Sequence, residues 1–544
     1  MPVAAALPGG RYLQTLNPSN GVDDTAWLNT ALAQGGYIRA RADETYRLSN
    51  RLILPSSTAF DCRQCRFQAV DTGSGFATQL LVNKAAITVI ASDEDAKCYA
   101  GSKVIDFYPG SNAATKFTVG QTVVIDGGGG TADAVVPLVA TVTAVNADAR
   151  NDGTAATPPN TITVDKAAKT TTNYWGIKAY TRDKDIRVIG GDWYRGAFAG
   201  GGIGGHSLMF RHVDNLDVQI EKFTSTNNTA HYGISVADIS NYRLAIDNAQ
   251  SGRDGIHIMG PAYSGEIVHV KGYTADDSVS LTAADYAGAL TDSSGDIIGL
   301  TIGSINTQTV HSQLKIMPGV NNVIDGVKVT GVIQGSSSQS SPVFIGEDTG
   351  NKGTMGGTIG SVDVGTVLAT PADTSKPQIL LANPNARSIR ARTKLAASAG
   401  CVCATGIGGT GSAGSPTPAT IQRLILDVDA TGPARLFNAG SSNTQISTLV
   451  LDGRYDQVSG ASVALALGSK VDRVDARLDA ALTAAFGSGW KRLGGQIGVD
   501  VSLLTPADGD LALNTNASLG CGVGPVVWNA SAGKWKHLYT AATT

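Results

Sequence analysis

Three aspartates and four basic residues are spaced as bond-breaking chemistry would need them. Asp254 opens the stretch Asp254-Gly-Ile-His-Ile258, and the pair Asp276–Asp277 opens a matching stretch, Asp277-Ser-Val-Ser-Leu281. Carboxylates held close together cannot all stay ionised cheaply, so at least one should keep its proton near neutral pH. A protonated acid beside ionised carboxylates is the arrangement that glycosidic bond cleavage uses. One group donates a proton to the leaving oxygen, and another activates water or attacks the sugar. His257 and Lys315 fall at the same place in their stretches, while Arg253 and His311 stand just before theirs. Cations beside an acidic cluster can hold a uronate, another acidic sugar, or hydroxyl groups.

Blander roles compete with these. Aspartates at corners often cap turns, because the carboxylate takes local backbone N–H groups. A carboxylate cluster also suits a hard cation such as calcium. The clustering of Asp254 with Asp276 and Asp277 favours catalysis, and the expectation is a site without metal or cofactor. Asp285 reads as a loop anchor, and His206, His231 and Tyr232 as weaker candidates for further sugar subsites.

The elements that position these residues follow from a weak repeat. His206-Ser-Leu-Met-Phe210, Tyr232-Gly-Ile-Ser-Val236, Asp254–Ile258, Asp277–Leu281 and Ser312-Gln-Leu-Lys-Ile316 share apolar third and fifth positions, and Ser341–Ile345 continues the series. Alternation of this kind marks a strand with one buried face. The intervals from Leu208 to Ile234, Ile256 and Val279 are 26, 22 and 23 residues, which fits one coil of a solenoid each. The next interval, 35 residues to Leu314, implies an inserted loop around 283–296. A second apolar strand follows in every coil, as in Leu216–Ile220 and Tyr242–Ile246. Stacked coils bury a continuous aliphatic column, and no coil is stable alone. Neighbouring coils lie about 4.7–4.9 Å apart, so the three aspartates should meet. The fourth strand position, holding His257, Ser280 and Lys315, should point outward.

The predicted architecture is all-β: a right-handed single-stranded parallel β-helix with a small β insertion and a C-terminal β module. Residues 1–45 form an arm and a capping helix, with Asp24 expected as its N-cap. The β-helix proper spans 46–370, interrupted at about 105–178 by antiparallel hairpins. Further coils or a β-rich trimerisation region fill 371–500, with a loop at 406–418, and 501–544 form a small module rich in Gly and Trp.

Composition agrees. The chain has 544 residues, 66 of them glycine, with only 16% charged and 6% aromatic, a profile for short strands and tight corners rather than disorder. A net charge of −3 gives no global field for nucleic acid or anionic membrane. No apolar run is long enough to span a membrane, and the first ten residues lack the features of a signal peptide. Six cysteines in so long a chain do not read as a disulfide framework, and Cys62 and Cys65 read as semi-buried thiols.

The stretches Asp254-Gly-Ile-His-Ile258, Asp276-Asp-Ser-Val-Ser280 and Gln313-Leu-Lys-Ile316 together resemble the polygalacturonase pattern, within the pectate-lyase-like β-helix superfamily that includes many phage tailspikes. The opening segment around Gly21-Val-Asp-Asp-Thr25 resembles the same group. This likeness implies that Asp276 is the general acid, that Asp254 and Asp277 activate water with inversion, and that Lys315 binds substrate. Arg253 stands where the family has threonine, Ser278 where it has cysteine, and Gln313 where it has arginine; these departures put uronate recognition in question. The implied protein is a homotrimeric tailspike depolymerase on a virion tail, working with other phage tail proteins on a bacterial capsule or O-antigen. A polysaccharide lyase using His257 or Lys315 as base, and a non-catalytic glycan-binding fibre, are the alternatives.

Overall fold

The computed structural model describes residues 13–476 except 71–77, 109–111, 126–136, 147–149, 152–159, 173–174, 197–205, 226–231, 285–292, 320, 348–355, 396–400, 407–418, 431–434, 440–443, 456–462 and 466–469, and beyond these 491–493, 496–498, 511–514, 524–529 and 534–537. Val, Ile, Leu and Thr alternate along short segments that pair side by side in parallel, and 30 strands join one continuous sheet. The chain is a parallel β-helix. Leu208 pairs with Ile234, Ile234 with Ile256, Ile256 with Val279, Val279 with Leu314 and Leu314 with Val343. All six side chains are fully buried. The register expected from the repeat is therefore the register observed.

The second strand of each coil builds a parallel column through Val218, Leu244, Ile267, Ile302 and Val329. These aliphatics merge with the first column into a single core running from Leu16 to Leu451. Stacking continues past residue 370, where Pro377–Ala382, Cys401–Gly406 and Arg435–Ala439 extend the first wall.

A short helix, Thr25–Leu32, covers the N-terminal end of the column with Leu28 and Leu32. Asp24 occupies its N-cap position without capping it by side chain. The Asp24 carboxylate instead accepts from the Ser19 hydroxyl, the Asn20 N–H, the Trp27 indole and the Arg47 N–H. Asp23 takes the helix-end role, accepting from the Thr25 N–H at 3.0 Å and from its hydroxyl at 2.7 Å.

The antiparallel insertion starts earlier than its sequence suggests. Six strands, from Ala91–Cys98 to Trp175–Tyr180, close into a small barrel. Its core of Phe107, Phe117, Ile125, Val142, Ile162 and Ile177 is separate from the column. Where it meets the coils, Lys169 pairs with Asp296 at 3.5 Å and also reaches the Asn322 amide, and the Lys166 ammonium lies 5.5 Å from the Tyr263 ring centre. Near the C-terminus, Leu511–Asn514, Gly524–Asn529 and Lys534–His537 form a three-stranded antiparallel sheet. The loop at 407–418, His231 and Asp285 lie outside the described residues.

Cys62 and Cys65 are both fully inside the core and carry free thiols. Burial pushes the Cys62 thiol up, so it is an inert core filler. Among the described residues no helix is long and apolar enough to cross a membrane.

Candidate functional site

The site forms where three coils turn into their first strands. The backbone there is tight. A Cβ at Gly255 would come within 2.7 Å of the Ser278 carbonyl oxygen, so glycine lets the next coil close onto the one that carries Asp254. The Gly255 N–H donates to the Asp277 carbonyl, and the Ser278 N–H donates to Ser312, which locks the three coils in step. Below them, the hydroxyls of Thr274, Ser278 and Thr307 form a buried network. Gln313 is also buried and donates to the Thr307 carbonyl. Ser278 and Gln313 thus face inward and are out of reach of any substrate. Their departure from the polygalacturonase pattern changes the wall's interior, not the groups it presents.

Asp254, Asp276 and Asp277 each bring a carboxylate oxygen within 4.8 Å of the others. Their surroundings differ. Asp254 is buried and accepts from the His257 ring Nδ1 at 2.6 Å and from the Asp277 N–H at 3.3 Å. Burial works against its charge, but His257 and the positive charges of Arg253 and Lys315 more than offset it, and its carboxyl is held below the ordinary carboxylate range. Asp277 is buried too; it takes the Ser312 N–H at 2.9 Å and faces the Lys315 ammonium at 3.3 Å. Burial pushes its carboxyl far up. Lys315 pulls the other way, and the charges of Asp276 and Asp254 push up again.

Asp276 is the open member, with its side chain 26% exposed against 4% for Asp254 and 3% for Asp277. Arg253 donates to it at 3.2 Å, and His311 stands 4.0 Å away on its other oxygen. Partial burial and the Asp254 charge raise its carboxyl, with Lys315, His311 and Arg253 restraining the rise. One acid is thereby held ionised and two are biased towards holding a proton, within one cluster that titrates as a unit. The oxygens stand closer than the about 6.5–9.5 Å between carboxyl groups that leaves room for an inverting water, so the spacing carries no argument for inversion.

His257 and Lys315 share the column predicted for them, with Ser280 between. The column points away from the aliphatic core, yet His257 and Ser280 are buried rather than exposed. The covering group is Tyr232, whose ring stacks on His257 at 4.3 Å and, on its other face, on His206 at 4.4 Å. Arg253 lies over the same ring at 5.3 Å. His206 and Tyr232 are therefore packing groups inside this wall, and burial holds His206 neutral. Sequence reasoning gave no role to the Ser312 N–H and underrated Tyr232. The one available signal was the shared aromatic-or-acid plus glycine pattern in Tyr232-Gly233 and Asp254-Gly255.

A second charged cluster lies at the root of the barrel. Arg182 spans Asp214 at 3.0 Å and Asp238 at 2.5 Å, and Asp238 also pairs with His212 at 2.8 Å. These residues carried no motif in the sequence.

The chain is thus a parallel β-helix with three carboxylates clustered on one wall. Solved structures similar to this chain include the tailspike of Pseudomonas phage LKA1, at 13% identity over 82% of this chain and 77% of that one, with a TM-score of 0.35. The tailspike of Acinetobacter baumannii bacteriophage AP22, solved with A. baumannii capsular saccharide, has 11% identity over 84% and 77%, also with a TM-score of 0.35. A family 28 exopolygalacturonase from Yersinia enterocolitica has 12% identity over 86% and 78%, with a TM-score of 0.32. No family model and no curated protein matches the sequence.

Proposed function

We propose that this protein is a glycoside hydrolase of the phage-tailspike kind, which cuts a bacterial surface polysaccharide at the Asp254–Asp276–Asp277 cluster. The observation that carries this reading is the opposed bias of carboxyls sharing one small space: Asp254 is held ionised while the more exposed Asp276 is raised. Asp276 is the general acid, because it is the carboxyl a glycosidic oxygen can approach. Asp254 is the base, kept charged by His257. Asp277, raised by burial, shares the cluster's proton with Asp276 and hands its partial charge to Lys315. Arg253 and His311, on the rim beside Asp276, bind the sugar that donates the leaving oxygen.

Elimination is the weaker reading. A lyase needs an accessible base, yet His257 is buried against the Tyr232 ring and the Lys315 ammonium is paired with Asp277. Purified capsule and O-antigen incubated with the protein should gain reducing ends without gaining an ultraviolet-absorbing unsaturated sugar. Asp276→Asn should lose at least about a hundredfold in rate, the usual share of a general acid. Undiminished cleavage by that variant removes the assignment; an absorbing product makes the enzyme a lyase.

A further inference from the structure

We infer that the cleft at the root of the barrel is a second saccharide site, which takes a neutral, hydroxyl-rich sugar from the chain that the carboxylate cluster cuts. The inference rests on the polysaccharide reading above and adds a place where the polymer is gripped. The cleft holds about 450 Å³, within the roughly 300–1,000 Å³ typical of small-molecule sites. Both connections into the barrel line it, Thr88 and Ile90 on the way in and Thr181 and Arg182 on the way out.

Its lining mixes apolar and polar groups. Pro55, Ala85 and Ile90 are its apolar lining, and Ile90 is 43% exposed and so open to a ligand. The same lining includes Thr88 and Thr181, which bring hydroxyls, and the exposed Lys84, which makes no ion pair among the described residues. A pyranose offers a C–H face for the apolar side chains and hydroxyls that donate and accept for the polar ones. An anionic sugar fits poorly. The Arg182 guanidinium is already spent on Asp214 and Asp238, and with Asp183 these carboxylates outnumber the two cations.

The walls are set before any ligand arrives. The Asp183 carboxylate accepts from the Ser56 hydroxyl at 2.8 Å, the Asn83 amide at 2.8 Å and the Ala85 N–H at 2.6 Å, which fixes three segments around the cleft. At its other end the barrel is braced against the coils by Lys169 and Lys166. Such preorganisation removes much of the ordering cost of binding. The position also suits a long ligand. Val82 pairs with Met209, Met209 with Ser235 and Ser235 with His257. The cleft therefore lies three coils from the catalytic wall, about 14 Å along the axis, a span of only a few sugars.

The test uses the full chain carrying Asp276→Asn, so that polymer is bound and not cut, titrated calorimetrically with the polysaccharide that the wild type cleaves. Adding Lys84→Met or Ile90→Ser should weaken binding about tenfold, the scale of one charge-assisted hydrogen bond. In the active protein the same changes should fall on KM rather than kcat. Both residues are exposed, so an unchanged thermal midpoint checks the fold, and either variant can stand in for the other. Wild-type affinity in both variants overturns the inference. A Lys84 effect that vanishes in high salt, with none from Ile90, makes the site one for an anion and overturns it as well. If Asp276→Asn still cleaves, the failure lies with the cluster's assignment and not with the cleft.

Discussion

Asp254 and Asp276 share one small space but have different neighbours, and that difference sets the pH range in which the proposed cluster can work. In the proposed mechanism Asp254 works ionised, so its depressed carboxyl should govern the acid limb of kcat/KM, and Asp276 works protonated, so its raised carboxyl should govern the alkaline limb. His257→Phe keeps the stack on Tyr232 but removes the 2.6 Å hydrogen bond to Asp254. The Asp254 carboxyl then rises, and the acid limb should move to higher pH while the alkaline limb stays. Arg253→Gln takes away a positive charge that lowers both carboxyls, so both limbs should move up together. Profiles that do not move in these directions would remove the assigned roles. The clustering was legible beforehand, since the Asp276–Asp277 pair lies one coil after Asp254 in sequence. The role of His257 was not. An alternating strand places it outside the core, and only the Tyr232 ring, supplied by the preceding coil, turns it from a surface group into a buried partner.

At the scale of the element, the short first strands are positioned by how closely successive corners approach. Gly255 is the critical point, since any side chain there meets the Ser278 carbonyl at 2.7 Å. Gly255→Ala should force the coils bearing Asp254 and Asp277 apart, costing about 1–3 kcal/mol of stability as overpacking does. It should also lower kcat, because the carboxylates separate. Thermal unfolding and polysaccharide turnover, measured on the same preparation, check both effects; a variant with wild-type turnover would show that the corner does not set the cluster. The repeat made the strands readable because the apolar third and fifth positions are dictated by burial alone. Corners obey less regular demands. The hydroxyl network under Ser278 and the inward turn of Gln313 depend on contacts with Thr307, some thirty residues from Ser278, which no local pattern encodes. The N-cap position was legible at Asp24, but not the use of its side chain: the neighbouring Asp23 carboxylate takes the Thr25 N–H, while hydrogen bonds from Ser19 and Arg47 hold the Asp24 carboxylate elsewhere.

Across the whole molecule the two hydrophobic cores are separate, and this separation has consequences. The aliphatic column is a stack in which each coil touches only its neighbours, so damage to one coil is felt mainly by those beside it. The barrel has its own aromatic and aliphatic core, and among the described residues it meets the coils through polar contacts and the stack of Tyr180 on His212. Leu281 lies between Ile258 and Ile316 in the column and is fully buried. Leu281→Ala should cost about 2–5 kcal/mol locally, as a cavity in a close-packed core does. Hydrogen exchange should then quicken across Ile256–Met259, Val279–Thr282 and Leu314–Met317, while the barrel strands Thr122–Ile125 and Trp175–Tyr180 keep their protection. The catalytic wall would loosen with these strands and the cleft at the barrel root would not, so cleavage should fall further than polymer binding. Equal loss of protection in barrel and coils would mean that the polar braces at Lys166 and Lys169 couple the two cores into one cooperative unit, and the grip on the polymer would then fail together with the chemistry.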